Sequence, residues 1–202
     1  MKTLQRALAA ILVATSVLFA FGCGKREDTS TKSLSYEDIV ITDCVRLGAY
    51  EGLTVTLAEN TDKATAVWAA VLAQSEIVSY PDQAVDYYVA QAEERYRYYA
   101  EKNGVSVEEA MAAVGLDDEA LTREAKALVA NDLIVLAVQK DAKIALTEDE
   151  KARLFDKYAQ KYVEDFGYDL DYVKSNLSDL IYESMLYDKT TEYLILKNTF
   201  IV

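Results

Sequence analysis

An all-α fold with a short β-like arm near its start is what this sequence predicts, on three observations. Only one proline and seven glycines interrupt 202 residues, so the chain has few places to break a helix. From Asp62 onward the apolar residues recur at helical rather than alternating spacing. Ser106 with Glu109, and Thr147 with Glu150, have the spacing of capping boxes that open helices.

The elements follow in order. Val45 to Leu47 and the alternating Leu53 to Leu57, separated by the turn signal Gly48-Ala49-Tyr50-Glu51-Gly52, predict a small hairpin or extended arm within 45–60. A first helix runs from about Asp62 to Ile77 and ends before Pro81, because a proline pushes its predecessor out of the helical region. Pro81 suits the first turn of the next helix, with Asp82 and Asp86 near its positive end and Asn103-Gly104 at its close. At about 100° per residue, Val85, Tyr88, Ala92, Tyr96 and Tyr99 share its expected core face, and Tyr87 and Tyr98 share another.

Ser106 opens a short helix to about Val114, and Gly115 closes it. Asp117 caps a longer helix to about Lys143, whose centre, Leu133 to Val138, is apolar all round and belongs in the middle of a domain. After Thr147 the next helix carries Phe155, Tyr158, Tyr162 and Phe166 before Gly167. A last helical region runs from about Leu170, with a break near Ser175-Asn176, to Leu196. There Leu177, Ile181 and Ile195 share one face and Tyr182, Leu186 and Tyr193 another.

Composition excludes several kinds of chemistry. No histidine occurs, which removes Ser-His-Asp and Cys-His catalysis and His-containing zinc sites. A net charge of -13 repels phosphate backbones, so nucleic acid is not an expected partner. Paired carboxylates such as Glu93-Glu94 and Asp117-Asp118 read as solvated helix faces, not acid/base pairs. No catalytic residue, metal, cofactor or small-molecule substrate is expected.

The first residues differ in kind. Lys2 and Arg6, the apolar Ala7 to Phe21 and small Gly22 before Cys23 resemble a bacterial lipoprotein signal, although Ala20 and Phe21 depart from its usual pattern. The implied organisation is a signal peptide over 1–22, a flexible tether over 23–44, the β-like arm over 45–60 and a helical domain over 61–202. The resemblance implies lipid attachment at Cys23 and an extracytoplasmic protein held at the cell membrane. Cys44 reads as a small apolar residue; without lipid on Cys23, a Cys23–Cys44 disulfide is open.

The order of Val67-Trp68 through Glu76, then Ser79-Tyr80-Pro81-Asp82-Gln83-Ala84-Val85-Asp86-Tyr87-Tyr88, then Tyr99-Ala100-Glu101-Lys102-Asn103-Gly104-Val105-Ser106-Val107-Glu108-Glu109, resembles the C-terminal domain of bacterial trigger factor. Leu116 to Ala125 and Ala142 to Glu150 are similar to the family's following helix opening and turn, and Val45 to Val55 to the segment that introduces its isomerase region. Only a few residues separate Leu57 from Asp62, where the family carries its FKBP-like domain, and nothing before Ser35 matches a ribosome-docking domain. Prolyl isomerisation is therefore not expected. The resemblance implies a SurA-like helical cradle for unfolded or nascent secreted polypeptides.

Fifteen tyrosines suit that task, since a phenol offers large contact area for two frozen torsions and a hydroxyl content in water. Tyr87, Tyr98, Tyr182, Leu186 and Tyr193 are the candidate client-facing residues, and Trp68 is expected at the domain base. Against each tyrosine stands ordinary helix packing or a dimer seam. The alternative function is a helical scaffold or assembly lipoprotein that docks one dedicated protein partner.

Overall fold

A computed structural model describes residues 34–202. The signal segment 1–22, Cys23 and the tether up to residue 33 lie outside the described residues. Within them the chain forms eight helices and four short strands. In order these are α1 (Ile41–Cys44), β1 (Val45–Arg46), β2 (Thr54–Thr56), α2 (Lys63–Gln74), β3 (Glu76–Ile77), α3 (Asp82–Asn103), α4 (Val107–Ala112), α5 (Asp118–Asp141), α6 (Glu148–Phe166), α7 (Leu170–Asn176), α8 (Ser178–Lys197) and β4 (Thr199–Ile201).

Local chemistry sets most boundaries. The side chains of Asp62, Ser106, Asp117 and Thr147 each accept the backbone N–H three residues on, and at Ser106 and Thr147 the reciprocal glutamate bond completes a capping box. Gly104 and Gly167 end α3 and α6 in the left-handed region, φ 67° and 70°, where a Cβ would be strained. Asp169 opens α7, and Leu177, at φ -117° and ψ 17°, breaks it from α8.

Two cores result. The first gathers Ile41 and Val45 with Val67, Trp68 and Val71 of α2, Val129, Leu133 and Val138 of α5, and Leu194 of α8. The second is smaller: Ala159 of α6, Val173 of α7, and Leu177, Ile181 and Met185. Helix α8 belongs to both. Met185 and Leu194, nine positions apart at about 100° each, point to opposite sides of the helix, one into each core. The split also runs along the helix: Leu177, Ile181 and Tyr182 pack in the second core and Tyr193, Leu194 and Ile195 in the first, so each of the two faces read from the sequence contributes to both cores.

The arm departs from expectation. The stretches 45–47 and 53–57 do not pair with each other as a hairpin. Instead β1 pairs antiparallel with β3, Val45 opposite Ile77, and β2 pairs parallel with β4, Val55 opposite Phe200. The helix expected to reach Ile77 accordingly stops at Gln74, because Glu76 and Ile77 are drawn into the ladder with Arg46 and Val45. The flexible tether expected over 23–44 is corrected for its second half: Ile41 and Cys44 are buried, and Tyr36 is hydrogen-bonded to the core. Cys44 is a free thiol. No described helix is long and apolar enough to cross a membrane.

Candidate functional site

An open concavity lies where the segment after residue 33 meets α5 and α8. Its volume is about 580 Å³. Leu34, Ile41, Leu136 and Ile144 supply the apolar walls, and Glu37, Asp179, Glu183 and Lys140 supply the charges. The cleft sits between the two cores: Ile41 belongs to the first, while Asp179 and Glu183 flank Ile181 of the second on α8.

One wall is fixed by a half-buried carboxylate. Asp132 Oδ2 accepts from Tyr36 Oη at 2.8 Å and from Tyr88 Oη at 2.6 Å, tying the segment before α1 to α5 and α3 together. Desolvation pushes the Asp132 carboxyl up, against the opposing pull of those two bonds. Desolvation and then the Asp132 charge raise both phenols. Glu183 is also held above the usual carboxylate range, by desolvation first and then by the like charges of Asp132 and Asp179. The result is a negative wall whose Asp179 and Glu183 carboxylates are exposed.

The five predicted client-facing residues are all half-buried and do not converge. Tyr87 lies nearest the cleft chemistry: its ring meets Tyr88 edge-on at 5.3 Å, and desolvation followed by the Glu183 and Asp132 charges raises its phenol. Tyr98 stands at the far end of α3, tilted on Tyr99 at 5.9 Å with the Lys102 ammonium 4.6 Å from its ring centre. Tyr182 packs on Phe155 of α6 at 5.4 Å, under Lys151, against the second core. Leu186 follows one turn later, its carbonyl bonded to Thr190 Oγ1 at 2.7 Å. Tyr193 packs on the first core and donates its hydroxyl to Glu51, with Lys197 over its ring.

Tyr99, expected on the core face of α3, is 42 % exposed, because the helix outruns the first core and only Val85 and Ala84 near its start and Ala100 near its end are buried. Trp68 is 4 % exposed, stacked on Tyr187 at 5.5 Å and 12°, and donates Nε1 to Thr191 Oγ1 at 2.8 Å. The described residues contain no group of three or more His, Cys, Asp or Glu placed to hold a metal ion.

Sequence reasoning missed the cleft itself and the Asp132 pin. A signal for Asp132 was present: it is a lone charge beside the apolar run Leu133 to Val138 on a central helix, and such a charge must find partners. The cleft had no comparable signal, since its walls come from segments far apart in the chain.

The fold and cleft define a helical two-core protein with an open, acidic, apolar-floored groove. Compared with family models, with curated proteins and with solved structures, the chain finds no match in any of the three.

Proposed function

We propose that this protein is an ATP-independent chaperone, tethered to the membrane through lipid on Cys23, that holds unfolded or partly folded secreted polypeptides by binding alone. The observation that carries the reading is the cleft of about 580 Å³ between the two cores, with half-buried Leu34, Leu136 and Ile144 open to water in part over buried Ile41. A holding protein needs such a surface, because non-native chains expose apolar side chains that aggregate unless covered. The half-buried rings of Tyr87 and Tyr98 on α3 extend adaptable contact area beyond it. The order of motifs similar to the trigger factor C-terminal domain supports the same reading, and the trigger factor-like arrangement of the helices is part of the proposal.

The test is suppression of aggregation. Several unrelated denatured proteins are diluted into buffer with the full chain at near-stoichiometric amounts, and light scattering is followed. The expected result is delayed scattering for most of them. Scattering unchanged for all, with a single protein retained on the immobilised chain, replaces the chaperone with a dedicated scaffold.

A further inference from the structure

Gln139 borders the cleft and is only 9 % exposed. Its Nε2 donates to Thr190 Oγ1 at 3.1 Å. The orientation of this amide is fixed by chemistry: the single hydroxyl proton of Thr190 goes to the Leu186 carbonyl at 2.7 Å, so Thr190 Oγ1 has only acceptor capacity left and must meet the amide nitrogen. Gln139 Oε1 is thereby turned away, and it accepts from no side chain or backbone group among the described residues. No fully enclosed side-chain oxygen or nitrogen there lacks a partner, so Oε1 reaches solvent, and the space Gln139 borders is the cleft.

The remaining polar walls agree in sign. Tyr36 has committed its hydroxyl proton to Asp132. The carboxylates of Glu37, Asp179 and Glu183 form no ion pair within the described residues, and only Lys140 brings a positive charge to the rim. Unpaired acceptors on several walls above an apolar floor call for a ligand with a compact, multiply donating cation at the end of an aliphatic stem. The lysine ammonium has three donors and a four-carbon stem that packs on apolar surface.

We propose that the cleft binds a lysine side chain, flanked by apolar residues, on an extended polypeptide. Its ammonium lies toward Gln139 Oε1, Glu183 and Asp179. Its stem and apolar neighbours cover Leu34, Ile41, Leu136 and Ile144. The assignment takes the polypeptide from the chaperone reading and the site from the geometry of the cleft.

Fluorescence anisotropy tests it, with the full chain and labelled unstructured peptides of alternating Leu and Lys, the same peptide ε-acetylated on every lysine, and the Leu/Glu counterpart. The expected result is binding of the lysine peptide, with about tenfold or greater loss on acetylation and for the Glu peptide. Glu183→Gln with Asp179→Asn should lose about tenfold, while Glu101→Gln with Glu108→Gln, an equal charge change on α3 and α4, should change less than about twofold. Equal binding of acetylated peptide, or equal loss in the two double variants, overturns the assignment in favour of general attraction to an acidic surface. Full displacement by free hexylamine at the peptide's own concentration also overturns it, in favour of a small-amine site. The two proposals separate cleanly. Lysine-dependent binding without aggregation suppression removes the chaperone and keeps the site; suppression that survives the Glu183/Asp179 change at full potency, with acetylation-insensitive binding, removes the site and keeps the chaperone.

Discussion

Tyr36 and Asp132, 96 positions apart, are joined by a 2.8 Å hydrogen bond, and the same carboxylate oxygen takes a second bond of 2.6 Å from Tyr88. A single side chain on the central helix therefore fixes both the segment leading from the N-terminus and the start of α3. Asp132→Ala removes the shared acceptor from two phenols and should lower stability by about 1–3 kcal/mol, the cost of a stranded polar group. Asp132→Asn keeps an acceptor oxygen and drops the desolvated charge, so it should lose less. Urea unfolding of the two variants compares them; an Ala variant as stable as wild type would show that the pin contributes nothing.

The pH dependence of stability has two opposed parts. Desolvation holds the Asp132 carboxyl above its ordinary value of 3.8, so the folded state binds that proton more tightly than the unfolded state. Its contribution is fully present below the ordinary value and lost as pH rises through the folded one. Glu150 runs the other way: the hydrogen bond from Lys189, then those from Thr147, take it from 4.5 down to about 2. Its contribution is present above 4.5 and lost as pH falls toward about 2. Lys189 Nζ spans 2.7 and 2.8 Å to the two Glu150 oxygens and 2.8 Å to the Ala145 carbonyl, clamping the head of α6 to α8. In thermal melts across the acid range, Glu150→Gln should flatten the loss below 4.5, and Asp132→Asn should flatten the slope above 3.8. An unchanged acid limb in Glu150→Gln would remove the clamp from the account.

Trp68 and Thr191 supply a buried polar contact between α2 and α8. Thr191 Oγ1 gives its proton to the Tyr187 carbonyl at 2.9 Å and receives the indole N–H at 2.8 Å, so its one donor is committed and the indole is satisfied. Thr191→Val keeps the shape and strands the indole N–H, and should cost about 1–3 kcal/mol. The chain has one tryptophan, so its fluorescence reports this interface directly. A urea midpoint equal to wild type would mean that water replaces the threonine.

What the sequence disclosed and what it hid divide by distance along the chain. Caps act over three residues, so Asp62, Ser106, Asp117, Thr147, Gly104 and Gly167 marked helix ends correctly, as did the break near Asn176. Strand pairing joins residues without local signature: Thr54 finds Thr199, and Val45 finds Ile77. Apolar character on two sides of α8 was visible as a pattern, but only the packing of α6 and α7 on its first half shows that Leu177, Ile181 and Tyr182 build a separate core while Tyr193 and Ile195 join the first. The tyrosines chosen for their spare faces are accessible in part, yet the concavity is framed by Leu34, Leu136, Gln139 and Glu183, which no periodicity links.

The predicted contact tyrosines differ in what they hold, and single substitutions should separate them. Tyr182→Ser removes a ring packed on Phe155 and the second core, and should cost about 1–3 kcal/mol. Tyr98→Ser, at the far end of α3 beyond the buried part of either core, should stay within about 0.5 kcal/mol while weakening aggregation suppression. Chemical denaturation and light scattering on the same preparations give both numbers. Full potency in Tyr98→Ser would withdraw that residue from the client surface; a neutral Tyr182→Ser would deny its packing role.

Gly48 shows why the loop between β1 and β2 takes its path. A Cβ built there would stand 1.9 Å from the Gln74 carbonyl oxygen and 2.4 Å from its carbon, both backbone atoms that no rotamer change can move. The loop is thus pressed against the last turn of α2, where Gly48 N–H also donates to Ser75 Oγ at 3.2 Å. Gly48→Ala must push the loop and the end of α2 apart, and the β1–β3 ladder directly flanks both, so Val45 opposite Ile77 should loosen with it. The expected loss is about 1–3 kcal/mol, in the range of other small-to-large intrusions into packed sites. Hydrogen exchange read at Val78 N–H, which donates to the Cys44 carbonyl at 2.8 Å beside that ladder, should accelerate in the variant. Exchange and melting both unchanged would mean that this loop lifts away from α2 at little cost.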